Sequence, residues 1–127
     1  MDIVVVELKG GISDFPLLIH TVDGLIADGE RRIVMDLGSL PFMNSSALGY
    51  LIKVRSILLE RGGQLALVRL QQAIRNILVV TNLESLFALY DSAEAAVAGL
   101  TQQAAAQGHP VPPTGPNVKR REIKRAK

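Results

Sequence analysis

The segment Val34–Leu51, VMDLGSLPFMNSSALGYL, constrains the fold more than any other part of the 127-residue chain. An apolar run breaks at Gly38 and Pro41, and a hydrophobic segment restarts directly after Asn44-Ser45-Ser46. This pattern predicts a buried strand, a short loop and a helix that begins at a pair of hydroxyls. The first turn of a helix presents unpaired backbone N–H groups and the positive end of the macrodipole, which suit a capping oxygen or an anion. A serine there is a cap or a phosphate acceptor, and Ser and Asn are preferred caps.

The flanking residues extend this reading into an alternation of strands and helices. Ile3–Leu8 is rich in β-branched residues and bounded by Gly10-Gly11, which predicts a strand near one side of a sheet. Ser13 as N-cap and Pro16 in the first turn open a helix over residues 14–28, with Leu18, Ile19, Val22, Leu25 and Ile26 at helical spacing. Residues 31–37 read as a second strand buried on both faces. The helix after Ser45 ends at Gly62-Gly63, and Gln64–Val68 is a third strand. A short helix over Ala73–Val80 and a brief strand around Phe87–Leu89 follow. Asp91 and Glu94 form a capping-box pattern before an Ala-rich helix over residues 92–106. Four strands alternating with helices predict an α/β domain with a mainly parallel sheet. From Gly108 the chain is Pro/Gly-rich and then charged, so the domain is expected over residues 1–106, with a disordered tail over 107–127.

Composition narrows the function classes. With 48% hydrophobic residues, 4% aromatic and no Trp, the core must be aliphatic. There is no Cys, which excludes disulfide and zinc–thiolate frameworks. No apolar stretch reaches membrane-spanning length, and MDIVVVELKGG lacks the features of a secretory signal, so a cytoplasmic protein without membrane insertion is expected. The net charge of +2 is uneven. Residues 119–127 hold six Lys or Arg and one acid, a local +5, leaving residues 1–118 at −3. A basic tail suits nucleic acid or an acidic lipid surface. No aromatic residues interleave with these charges, so a solvated tail that does not bind nucleic acid is expected.

Catalytic constellations are missing from the sequence: it has no phosphate-binding glycine loop, no dinucleotide fingerprint and no H-E-x-x-H. The two histidines, His20 and His109, fall on the first helix and in the tail. Asp14 and Asp36 fall at the carboxyl edge of the expected sheet, where ligands of parallel sheets bind, but each also suits a structural turn. No cofactor, metal site or enzymatic activity is expected.

Taken in order, these features resemble the STAS domain of bacterial anti-sigma factor antagonists. Phe42-Met43-Asn44-Ser45-Ser46-Ala47-Leu48-Gly49 is similar to the hydrophobic pair and D-S-S-G-L-G of that family. Gly11-Ile12-Ser13-Asp14 is similar to its G-x-L-D turn, and Leu70–Leu86 to its short helix with a Leu-bearing turn. The resemblance covers about residues 3–100 and implies a single-domain STAS-like fold. It also implies a binding switch, in which a serine kinase that is often the anti-sigma factor phosphorylates Ser45 and a PP2C-type phosphatase reverses the step. Unphosphorylated, such a protein binds the anti-sigma factor and frees a sigma factor. Asp14, Phe42, Met43, Asn44, Ser45, Ser46 and Leu48 are the partner-binding residues the resemblance implies, with Ser46 as the alternative acceptor.

Three departures bear on this transfer. Asn44 replaces the usual acid, which keeps a capping oxygen and removes a charge. Ala47 replaces Gly, a mild change within a helix. The N-terminus is short by one edge strand, which leaves Ile3–Leu8 exposed or available to a second copy as a homodimer. An alternative reading stays open: a non-phosphorylated STAS scaffold or ligand-binding subunit of a stress-signalling or transport complex, with Ser45 only a helix cap.

Overall fold

The computed structural model describes residues 1–124; Arg125 and Lys127 of the basic run lie outside them. The β-branched run forms β1 (Asp2–Leu8), and a 3-10 turn (Ile12–Asp14) leads into α1 (Phe15–Ala27). Ser13 sits inside that turn, and Asp14, not Ser13, holds the N-cap position of α1. Next come β2 (Arg32–Asp36), α2 (Ser45–Glu60), β3 (Gln64–Val68), α3 (Gln72–Val80), β4 (Ala88–Tyr90) and α4 (Ala93–Ala106). The cap of α4 is Ser92, whose Oγ accepts from Ala95 N at 3.0 Å, while Asp91 pairs with Arg75 at 3.3 Å. The cap therefore falls one residue later than expected, and with Ala95 at the third helical position the reciprocal capping box does not form.

Among the described residues the sheet has five strands rather than four. The additional one is β5 (Asn117–Ile123), and the order is β4-β3-β2-β1-β5, all parallel. Central β2 and β3 are buried along their whole length, as continuous apolar strands require. Side chains of alternate parity serve the two faces. Val4, Val6, Leu8, Ile33, Met35, Leu65 and Leu67 join the core with α1, α2 and α3, whereas Ile3, Val5, Val34, Ala66 and Val68 meet α4. Helix α4 turns Ala93, Ala96, Leu100 and Ala104 inward at i, i+3, i+4 spacing, and small side chains let it lie close to the strands.

The expectation of a disordered tail fails for residues 117–123, and with it the domain boundary at residue 106. These residues pair with β1 from Asp2↔Asn117 to Leu8↔Ile123 and take the edge expected to stay open or to receive a second copy. Strand β5 is held with little apolar burial. Ile123 is its one fully buried side chain and joins the larger core. Lys119 Nζ reaches Glu30 at 2.8 Å and Asp2 at 3.2 Å. At its two ends, Asn117 N donates to Met1 O and Lys9 N to Ile123 O, both at 2.8 Å. Among the described residues no helix is long and apolar enough to cross a membrane.

Candidate functional site

Residues 37–44 carry the chain from the carboxyl end of β2 to α2, and their backbone is fastened at several points. Asp36 Oδ1 accepts from Gly38 N at 3.0 Å and faces Arg69 Nε at 3.2 Å. Asp36 thus organises the loop and pairs with a base. A side chain at Gly38 would place its Cβ 2.3 Å from the Arg69 guanidinium, so the turn requires glycine or displacement of that arginine. Ser39 Oγ donates to Leu8 O and Gly10 O at the end of β1, and Gln71 Nε2 donates to Gly38 O at 2.9 Å. The loop is therefore tied to both neighbouring strands before α2 begins.

Asn44 caps α2: its Oδ1 accepts from Ala47 N at 2.8 Å, and its carbonyl accepts from Leu48 N at 3.1 Å. This arrangement removes the capping role from the serines. Ser45 is the first residue of α2, both Ser45 and Ser46 are exposed, and neither hydroxyl is hydrogen-bonded by a described residue. The freed hydroxyls stand at the positive end of a 16-residue helix.

The remaining expected site residues divide by burial. Phe42 is 51% exposed beside exposed Pro41, and Leu48 is half-buried. Leu40, Met43 and Ala47 point into the core, so of residues 40–43 only Pro41 and Phe42 are exposed beside Ser45. Asp14 is buried as well, with its carboxylate folded over Gly10, where an added Cβ would lie 1.8 Å from Oδ2. Asp14 shapes the turn after β1 rather than presenting an acid to a partner. His20 is exposed on α1, and among the described residues no three His, Cys, Asp or Glu side chains gather as a metal site.

A shallow cleft of about 180 Å³ joins the first turns of α1 and α2, lined by Ile12, Phe15, Pro16, Ile19, Asn44, Ser46 and Ala47. Sequence reasoning missed Ile12, Pro16 and Ile19 because each fits a helix start and its core equally well; only the juxtaposition of two helices makes them a surface. Tyr50 fixes that juxtaposition. Its ring meets Phe15 edge-on at 6.1 Å, and its hydroxyl donates to Asp23 Oδ1 at 2.7 Å and Ile19 O at 3.2 Å. Burial, then the Asp23 carboxylate, push the Tyr50 phenol far above its ordinary value, so it stays a neutral donor.

The arrangement is suited to binding and modification: an exposed hydroxyl at a helix N-terminus, an exposed aromatic beside it and an apolar cleft below. Comparison with known proteins agrees with the fold. The family model described as STAS domain matches residues 2–96. BtrV of Bordetella bronchiseptica, a candidate anti-sigma factor antagonist, is 36% identical over 70 residues, 55% of this chain and 60% of that protein. The chain thus spans about three-fifths of that curated relative's length. A crystal structure of a candidate anti-sigma factor antagonist from Thermotoga maritima aligns with TM-score 0.65 at 23% identity, over 73% of this chain and 80% of the other. The phosphorylated form of the Bacillus cell fate determinant SpoIIAA aligns with TM-score 0.55 at 17% identity, over 83% and 89%.

Proposed function

Because this chain belongs to the STAS domain family, we propose that it is an anti-sigma factor antagonist, a cytoplasmic binding protein switched by phosphorylation of Ser45. The observation that carries this reading is the exposed, uncommitted Ser45 hydroxyl, with capping assigned to Asn44. A phosphate there would add about −1.5 to −2 charge at a helix N-terminus, where the macrodipole favours it. The fold therefore tolerates the modification. Its effect falls on the partner, which meets a desolvation cost beside Pro41 and Phe42 and repulsion from any acidic surface. A discrimination of about 1–3 kcal/mol between the two forms is the scale expected of such a switch. The kinase is the anti-sigma factor or its associate, and a PP2C-type phosphatase restores the binding form. Ser46, lining the cleft, is the alternative acceptor.

Incubation with ATP and extract of the source cells, followed by intact-mass measurement and peptide mapping, tests the proposal. One phosphate on Ser45, absent from Ser45→Ala, is the expected result. An unmodified chain across several growth conditions would favour the constitutive scaffold.

A further inference from the structure

Strand β5 gives the sheet a long outer edge that no other described strand covers. The opposite edge, β4, has three residues and offers an added strand little to hold. β5 has seven, and its pairing with β1 runs from Asp2↔Asn117 to Leu8↔Ile123 without a bulge or a proline. Hydrogen bonds at the two ends of that ladder, Asn117 N to Met1 O and Lys9 N to Ile123 O, show which backbone groups are spent on β1. In a parallel ladder one residue turns both its N–H and its C=O to the same neighbour, and the next turns both the other way. Residues 117, 119, 121 and 123 therefore face β1, and Val118, Arg120 and Glu122 direct their backbone groups outward. One outward acceptor is filled from within the strand: Arg121 Nη1 donates to Arg120 O at 3.3 Å, a long bond that an incoming N–H can replace.

The side chains of this edge sort by face. Lys119 and Arg121 share the α1 face with Ile123, whereas Val118, Arg120 and Glu122 share the α4 face. Lys119 is held by Glu30 and Asp2, but Arg121 is exposed and meets no described carboxylate. On the α4 face Val118 is 36% exposed, and Arg120 stands 3.9 Å from Glu94 with both side chains largely in solvent. The edge is thus cationic on one face and partly apolar on the other. The same edge of a second copy carries the same charge and is repelled.

From this geometry we propose that the outer edge of β5 is a docking site for an extended segment of a partner protein in which acidic and apolar residues alternate. Such a segment adds another strand to the sheet. Its backbone pairs with Val118, Arg120 and Glu122, its acids lie beside Lys119 and Arg121, and its apolar residues cover Val118 and the Arg120 stem.

Titration of a short peptide of alternating Val and Glu into the isotope-labelled full chain tests the site. Saturable shifts along residues 117–123 are expected, with amide exchange slowed at Val118, Arg120 and Glu122 and unchanged at Lys119 and Arg121, whose amides β1 already holds. Arg121→Glu should weaken peptide binding about tenfold, because an attractive cross-strand pair becomes a repulsive one, while the melting temperature stays within a few degrees of the parent. A peptide of the same sequence with a fully N-methylated backbone keeps the charges but loses the donors, and should not bind. Equal binding by the methylated peptide, the same shifts from oligothymidylate, shifts without protection of those three amides, or no saturation at millimolar peptide would overturn the proposal.

Discussion

Asn44 and Ser45 are adjacent, both polar and both good helix starters, yet they do different work. Asn44→Ala removes the bond to Ala47 N and should cost about 0.5–2 kcal/mol. Ser45→Ala should stay within about 0.5 kcal/mol, because an exposed hydroxyl without a protein partner contributes little. Urea denaturation of the two variants checks this contrast, and equal losses would return Ser45 to a capping role. The sequence made the helix start legible but not which oxygen closes it, since Asn, Ser and Ser in a row all satisfy the same preference. The same ambiguity moved the cap of α4 from Asp91 to Ser92. Asp14 and Met43 misled for a different reason: both stand in the right segment, but the side chains point inward.

Strand β5 is the element that sequence reasoning did not find. An edge strand needs no apolar face. Four of its seven residues are charged, and its two apolar ones, Val118 and Ile123, fall on opposite faces, so no period-2 pattern marks it. Its anchoring predicts where it fails. Ile123→Ala should cost about 2–4 kcal/mol and release the strand, read as faster amide exchange across residues 117–123. The ion pairs set a pH window. Hydrogen bonding to Lys119 lowers the Asp2 pKa, so its contribution is present above about pH 4 and is lost as pH falls through the depressed value. Hydrogen bonds to Glu30 and then Asp2 raise Lys119, whose contribution is present below about pH 10 and is lost as pH rises through the raised value. Protection of the β5 amides, with exchange corrected for the pH dependence of its intrinsic rate, should therefore be greatest between these limits and fall at both ends.

For the molecule as a whole, the alternation of strands and helices fixed the class and most element positions within residue 1–106, while the neighbours of each strand came only from the structure. Nothing in the tail's composition says that it returns to the first strand. A chain ending at residue 116 should keep β2, β3 and their helices but expose the β1 edge, and light scattering should find self-association that rises with concentration. A monomeric truncation would show that β1 is protected by other means. Ser45→Asp should leave the melting temperature within a few degrees of the parent and confine spectral changes to the start of α2, since the added charge meets a favourable helix end.

The pairing of β1 with β5 joins residues more than a hundred positions apart, and that separation bears on how the protein is made. At about 5–20 residues per second on the ribosome, β1 waits several seconds before its partner strand has been synthesised. Throughout that interval its outer edge is an unpaired template of N–H and C=O groups beside other nascent chains. The polypeptide is therefore most exposed to mispairing during its own synthesis, and that exposure ends when β5 docks.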